Sequence, residues 1–410
     1  MYPEIAIARG KDVPLIESIE RTSFPFPWDT ETLSACVELP SYRTWTAWLD
    51  GRIRGYITAV LDSGGLHIVN LAVEKDYRRI GIAGSLIESA ESWAERLGAD
   101  FSFLEVRESA VAARSLYSTS GYTQTALLDE YYCDGEKGLR FDKVLKPRSE
   151  TSAVAFRILE VCSSIPPVGI VLGSGLSWLA EEFGVSIRTD FSAILGDSGP
   201  DLPGHPGEML FSRCGRFVFL LGRRHYYQGY TGDEISLLPG VLCDLGVHTW
   251  ILTSSSGAVD EDLRPGDAVL FRDHVNFTGC IPNIGRIRTG RSVYSEELRQ
   301  AAIESASMAG SVLKEGIFAC VSGPAYETSA EISFLQEHGF STVSMSTVPE
   351  ALLLAARGSE VAALSLVTNA AAPGAVVTHD EVLSSQESVR SKQHQFLSIL
   401  AGKAASIALQ

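Results

Sequence analysis

Three short segments of this chain carry different recognition chemistries within one C-terminal stretch: Gly323-Pro324-Ala325-Tyr326-Glu327-Thr328, Met345-Ser346-Thr347-Val348-Pro349-Glu350 and Thr368-Asn369. The ring of Tyr326 can stack on a flat base. The carboxylate of Glu327 can accept ring N–H groups, and the carboxamide of Asn369 can donate and accept at another edge. Together these groups suit a purine. Upstream, Gly173-Ser174-Gly175 closes an apolar run, and Pro203-Gly204-His205 and Gly222-Arg223-Arg224-His225-Tyr226-Tyr227-Gln228-Gly229-Tyr230 follow. A glycine-flanked hydroxyl with its backbone N–H groups makes an anion nest, to which a guanidinium adds charge. The run is not a G-x-S-x-G elbow, because Leu172 and Leu176 hold its outer positions, which disfavours a serine hydrolase. Singly, each residue also has a plainer reading. His205 or His225 alone is an ordinary hydrogen-bonded histidine, Met345 is core, and Glu327 caps a helix beginning near Thr328.

A second constellation lies in the N-terminal third. An apolar strand, Leu66–Val73, leads through Arg78-Arg79-Ile80-Gly81-Ile82-Ala83 into an amphipathic helix. Free N–H groups at a helix start suit a pyrophosphate, arginine adds charge, and Gly81 and Ala83 allow close approach. On its own this pattern fits a tight surface turn with solvated arginines equally well. Leu104-Glu105-Val106-Arg107 and Arg114-Ser115-Leu116-Tyr117 follow it in order. Outside that context, Glu105 reads as a solvated strand-end carboxylate and Tyr117 as a packed helix tyrosine.

The elements that must position these groups are of α/β type. In the first 148 residues, helices are expected at 15–21, 30–37, 82–97 and 112–118, and strands at 44–49, 53–61, 66–73, 101–106 and 139–145. A polar run, Lys146-Pro147-Arg148-Ser149-Glu150-Thr151, marks the boundary between domains spanning 1–148 and 149–410. The second domain opens on a helix at 153–162 and a buried strand, Val168–Leu172. Further strands are expected at 217–221, 249–253, 268–271, 316–321, 342–345 and 360–368, with helices at 295–309, 329–338 and 349–356. Such alternation predicts a largely buried mixed sheet.

Composition narrows the function classes. A chain of 410 residues that is 45% hydrophobic fits two globular domains. The net charge of −16 argues against nonspecific nucleic-acid binding, so an anionic substrate must be caught by local donors. No apolar run approaches the roughly 18–20 residues that span a bilayer. The start, Met1 to Pro14, lacks the basic-then-apolar order of a leader. Seven scattered cysteines with no C-x-x-C pair read as reduced thiols rather than a disulfide frame or zinc site. A cytoplasmic protein without membrane or nucleic-acid partners is expected.

The N-terminal motifs resemble the GNAT N-acetyltransferases, closest to the ribosomal-protein alanine acetyltransferase branch, which also shows a Pro-Trp (Pro27-Trp28) and a tyrosine pair (Tyr131-Tyr132). The resemblance covers roughly residues 3–146. It implies acetyl-CoA as acyl donor on Arg78, Arg79, Gly81 and Ala83. It implies Glu105 as the proton acceptor from an amine, possibly a peptide N-terminus, directly or through water, and Tyr117 as proton donor to the CoA thiolate. Ala110 stands where that family often has asparagine, removing a polar contact to the donor.

The C-terminal motifs resemble the trimeric low-molecular-mass purine nucleoside phosphorylases. G-S-G-L, P-G-H, G-R-x-H-x-Y-x-G-Y, G-P-x-Y-E-T, M-S-T-V-P-E and T-N all occur in family order across 153–404. The resemblance implies phosphorolysis of purine nucleosides in a homotrimer, with no metal. Ser174, Arg223, His225 and Ser346 would hold phosphate, aided by the backbone near Ser255 and by His205. Tyr227, Met345 and His379 would meet the ribose, and Tyr326, Glu327 and Asn369 the base, with Asn369 stabilising the leaving purine. Tyr294 matches an active-site tyrosine. Ser254-Ser255-Ser256-Gly257-Ala258 replaces the family's Asn-Ala-Ala-Gly-Gly, so its added side chains are expected to crowd the phosphate side. Gln228 replaces a glutamate, so Arg223 is expected to lose an ionic partner. The segment 282–291 is short where the family carries a longer loop. Two alternatives stay open. One is a methylthioadenosine phosphorylase, which typically has G-T-G, M-T-T-V-P-E and a late aspartate instead. The other is a nucleoside-binding or assembly module with only acetyltransferase activity.

Overall fold

The computed structural model of the protein describes residues 3–39, 41–62, 64–147, 149–196, 206–284, 292–371 and 386–409. His205, His379 and residues 285–291 lie outside them. The chain divides into two compact units, one up to Ala155 and one from Phe156 to Leu409.

The first unit is a seven-stranded sheet with helices. In chain order it runs β1 (Glu4–Ile7), α1 (Val13–Ser23), α2 (Thr30–Glu38), β2 (Tyr42–Leu49), β3 (Arg52–Asp62), β4 (Gly65–Val73), α3 (Ile82–Arg96), β5 (Phe101–Arg107), α4 (Val111–Thr119), β6 (Thr123–Leu128) and β7 (Gly138–Val144). The sheet order is β1-β2-β3-β4-β5-β7-β6. All its neighbours are antiparallel except β4 and β5. Helix α3 buries Ile82, Leu86, Ile87, Ala90, Trp93 and Ala94 at helical spacing, and they join the sheet's core with Trp45, Ile57, Leu66 and Leu104. The parallel pair registers only at Gly65↔Phe101, Leu66↔Ser102 and His67↔Phe103. Beyond His67 the two strands run on without pairing to each other, so the sheet opens into a wedge there.

The second unit begins within α5 (Ser149–Val161). Its nine strands are β8 (Val168–Leu172), β9 (Val185–Asp190), β10 (Glu208–Ser212), β11 (Phe217–Leu221), β12 (Thr249–Ala258), β13 (Ala268–Asn276), β14 (Leu313–Cys320), β15 (Thr342–Ser344) and β16 (Glu360–Ala370). The helices are α6 (Ser177–Glu182), α7 (Phe191–Leu195), α8 (Gly232–Ile235), α9 (Leu237–Asp244), α10 (Glu296–Ala309), α11 (Ser329–Glu337), α12 (Val348–Ala356) and α13 (Gln386–Ile407). Strand order is β15-β14-β13-β16-β12-β8-β11-β10-β9, and β15 also pairs with β12, closing five strands on themselves. The sheet is mixed, as expected. Strands β8 and β11 are buried at every position, which explains their unbroken apolar runs.

Candidate functional site

The groups expected to hold phosphate converge where β8, β12 and α12 meet. At the end of β8, the Gly173 N–H donates to Thr253 Oγ1 at 2.9 Å, and that hydroxyl donates to Val171 O at 2.9 Å. A Cβ at Gly173 would stand 3.2 Å from Ser255 N and 3.3 Å from Thr253 O, so a larger residue here would press this turn away from β12. Ser255 Oγ reaches Ser174 O at 3.4 Å. Arg223 follows β11 and is buried. Its guanidinium donates to Thr347 Oγ1 at 2.8 Å and Thr253 O at 2.7 Å, and its Nε lies 3.3 Å from Glu350 Oε1. Thr347 is held at φ +75°, a strained conformation for a β-branched residue. That conformation turns its hydroxyl to Arg223 and within 3.3 Å of Ser346 Oγ. Ser174, Ser255, Arg223 and Ser346 are thereby linked through shared partners.

Three expectations are corrected here. Arg223 keeps an ionic partner, because Glu350 at the start of α12 supplies it. Gln228 turns back instead, its Oε1 accepting the His225 backbone N–H at 2.9 Å. The serine run does not crowd the phosphate side as a block. Side chains alternate along β12, so Ser254 and Ser256 face inward and are 3.2 Å apart. The chain continues from Ser256 to Ser365 and on to Thr342, at 2.9 Å each. Only Ser255 faces Ser174. The helix after Glu327 is capped by Thr328 with Glu331, so Glu327 is not its cap.

His225, expected to meet phosphate, stacks on Tyr227, expected to meet ribose, with ring centroids 4.9 Å apart. Gly323 has φ +66°, and a Cβ there would collide with Met345 Sδ and stand 3.0 Å from Tyr227 Cδ1. Tyr227, Met345 and the 323–328 segment therefore meet. Burial raises the Tyr227 phenol, with Tyr326 adding to it and Arg223 opposing. Tyr326 is 44% exposed, leaving its ring open to a stacking partner. Glu327 is half-buried, and burial holds its carboxyl above the ordinary range. Asn369 sits opposite Gly257 across β12 and β16, with its Oδ1 accepting from Thr368 Oγ1 at 3.0 Å. Tyr294 differs from these residues: it is 2% exposed, and its hydroxyl pairs with His274 Nδ1 at 2.8 Å.

In the first unit, Glu105 on β5 lies just past the last β4–β5 pair. Its Oε2 meets His67 Nε2 at 2.8 Å and its Oε1 lies 3.6 Å from Arg140 Nη1. Sequence reasoning did not single out His67 or Arg140, since their contacts cross strands. Tyr117 is buried on α4, and burial raises its phenol, with Tyr132 adding to the effect. Tyr132 is raised to about 12, by burial first, and also senses Tyr131, Arg107 and Glu105. Both tyrosines are thus within electrostatic reach of Glu105, and Tyr132 is within reach of Tyr117. Arg107 anchors the pair: its guanidinium sits 4.0 Å over the Tyr132 ring and donates to Asp134 at 2.8 Å and Glu136 at 2.7 Å. Gly81, with φ +93°, caps the start of helix α3, whose first backbone bond runs from Ser85 to Gly81 O. The N–H groups of 82–84 precede that bond, and Arg79 and Gly81 are exposed beside them. Arg78 is partly committed, its Nε donating to Val73 O at 2.9 Å. The free N–H groups and arginines of this turn could hold a pyrophosphate such as that of acetyl-CoA. Ala110 begins α4 with no side-chain cap.

Comparison with known proteins finds a relative for each of the two domains. The phosphorylase superfamily model matches residues 167–401, and the acetyltransferase (GNAT) family model matches residues 13–122. Purine nucleoside phosphorylase 1 of Geobacillus stearothermophilus is 36% identical over 244 residues, covering 57% of this chain and 89% of that protein. The Bacillus subtilis protein of the same name is 32% identical over 259 residues, covering 60% and 95%. The crystal structure of a schistosoma purine nucleoside phosphorylase in complex with hypoxanthine aligns with a TM-score of 0.54 at 30% identity, covering 61% of this chain and 95% of that one. Over more than half of its length the chain belongs to the phosphorylase superfamily, and it joins that domain to an acetyltransferase domain of the GNAT family.

Proposed function

We propose that the second domain cleaves 6-oxopurine nucleosides, inosine and guanosine, with inorganic phosphate to give free base and ribose 1-phosphate. The observation that carries this reading is the buried Arg223, fixed by Thr347, Thr253 and Glu350 beside Ser174 and Ser346. Such a cradle binds phosphate by charge and directed donors. The glycosidic C–N bond breaks through an oxocarbenium-like ribose, which the bound anion stabilises and then attacks. Asn369 stabilises charge developing at purine N7, and Glu327 accepts N1–H. The inward turn of Ser254 and Ser256 supports a competent phosphate side over a binding-only module. The test is phosphate-dependent release of hypoxanthine from inosine. Release without phosphate, or none at all, rules the reading out.

The first domain, in the same proposal, transfers the acetyl group of acetyl-CoA to an amine such as a protein N-terminus. Deprotonation of the amine depends on Glu105, and Tyr117 returns a proton to sulfur. The exposed Tyr131 beside Glu105 and the anchored Tyr132 support an extended acceptor. A screen over peptides and small amines identifies it.

The assembly is a homotrimer built through the phosphorylase domain. The exposed Phe277 and Phe334, in edge contact at 6.5 Å, give that domain apolar surface to bury. A stable monomer in sedimentation at micromolar concentration excludes it. A cytoplasmic location is supported by seven free cysteines. Among the described residues, no helix is long and apolar enough to cross a membrane.

A further inference from the structure

We propose that His67 is the group that takes the proton from the acceptor amine in acetyl transfer, and that Glu105 acts by orienting it. This rests on the acetyltransferase reading of the first domain. His67 closes the paired part of β4 at the mouth of the wedge, in register with Phe103. Its ring lies flat on Phe103, with centroids 4.4 Å apart and planes inclined by 14°. Its Nε2 meets Glu105 Oε2 at 2.8 Å. A carboxylate only accepts, so the neutral imidazole carries its hydrogen on Nε2 and keeps a lone pair on Nδ1. Among the described residues, Nδ1 has no hydrogen-bond partner.

Glu105 is less well placed to meet the amine itself. Both of its oxygens face cross-strand partners, His67 on β4 and Arg140 on β7, its register partner. Its side chain is 11% exposed, against 25% for His67. Arg140 lies over the Phe103 ring at 4.1 Å, so one aromatic platform carries both cross-strand partners of Glu105. A carboxylate that fixes the tautomer and plane of an imidazole, whose other nitrogen does the chemistry, is a recurrent solution for a general base. The charged and titratable groups near the pair are Arg140 on β7 and Tyr131 and Tyr132 on the β6–β7 loop.

The step balances as follows. The acceptor ammonium gives one proton to His67 Nδ1, which releases it to solvent. The amine lone pair forms the C–N bond at the thioester carbon. On collapse the C–S bond breaks, and the second amine proton reaches the CoA sulfur through the Tyr117 hydroxyl.

The test uses the full chain. Acetyl-CoA consumption is followed with a panel of peptides differing in their first residue, together with spermidine. His67→Ala and His67→Gln are expected to lower kcat by about 100-fold or more, with KM for acetyl-CoA little changed. Imidazole should restore turnover to His67→Ala, and the acid limb of the wild-type pH profile should vanish in His67→Gln. In 15N-histidine NMR, with the resonance assigned by its loss in His67→Gln, the neutral ring should show Nε2 protonated and Nδ1 bare. Glu105→Gln should blur that preference. Full activity in His67→Ala overturns the proposal. So does formate rescue of Glu105→Ala when imidazole fails to rescue His67→Ala, or a ring protonated on Nδ1. A wild-type chain that transfers acetyl to no probe overturns the acetyltransferase reading itself, a distinct result.

Discussion

Arg223 and Glu350 form an ion pair closed off from solvent, Nε to Oε1 at 3.3 Å, with side chains 4% and 1% exposed. Glu350 Oε2 has no hydrogen-bond partner among the described residues. Removing one member of a buried pair strands the other, at a cost of about 3–5 kcal/mol. Glu350→Ala is therefore expected to lower the melting temperature of the phosphorylase domain markedly, and Glu350→Gln to lower it less. The pair also has a functional side. In the proposed phosphate site, the Glu350 carboxylate offsets the charge of Arg223 and would repel an arriving anion. Added phosphate should then raise the melting temperature of Glu350→Gln more than that of wild type. Equal shifts would show that this carboxylate does not tune the anion site.

Gly257 faces Asn369 across the sheet. A Cβ there would stand 3.3 Å from Asn369 Nδ2 and 3.1 Å from Ala371 Cβ, tighter than ordinary contact. Gly257→Ala should push the carboxamide off its position and lower kcat for phosphorolysis at least tenfold, with little change in phosphate KM. A variant with unchanged kcat would remove Asn369 from the base site.

Burial holds the Glu327 carboxyl above the ordinary carboxylate range, with Glu331 adding to it. It therefore takes up a proton earlier than usual as the pH falls. The ionised form accepts N1–H more strongly than the protonated one, so kcat/KM for inosine should decline on the acid side, and Glu327→Gln should lack that decline. The measurement is a pH profile of both proteins. An identical acid limb in the two would assign it to another group.

Glu105→Gln and Tyr117→Phe should each lower acetyl transfer strongly and leave phosphorolysis intact, since the groups lie in separate units. Burial keeps the Tyr117 phenol protonated, as a donor must be. Full acetyl transfer in both variants would discharge them from the chemistry. Lost phosphorolysis in either would reveal coupling between the domains.

Long apolar periods made most elements legible. The strands Val168–Leu172 and Phe217–Leu221 and the helix beginning at Ile82 fall where their patterns put them. Strands β1, β6, β9 and β10 were not foreseen; β10 is buried between β11 and β9, whereas β1, β6 and β9 lie at sheet edges. There β9 alternates half-buried and exposed side chains, and β6 buries none fully, so neither offers a strong apolar signal. The site was legible as a set of motifs, but not as contacts. Glu350 stood inside a recognised motif, yet its pairing with Arg223 spans 127 residues of chain (350 − 223) and depends on how α12 meets β11. His67 was likewise hidden, because strand register cannot be read from a lone histidine. The serine run was misjudged although strand alternation was available to separate Ser255 from Ser254 and Ser256.

The central claim is that Glu327 and Asn369 select a 6-oxopurine for phosphorolysis, and kcat/KM for inosine against adenosine tests it most directly. Adenine lacks N1–H and sets an unprotonated ring nitrogen against Glu327. A buried polar group left unpaired costs about 1–3 kcal/mol, so a preference of roughly tenfold or more for inosine is expected. Asn369→Asp should shift that ratio toward adenosine, because an acid can accept from the 6-amino group. Equal efficiency on the two nucleosides in wild type, or a ratio unmoved in the variant, would contradict the account.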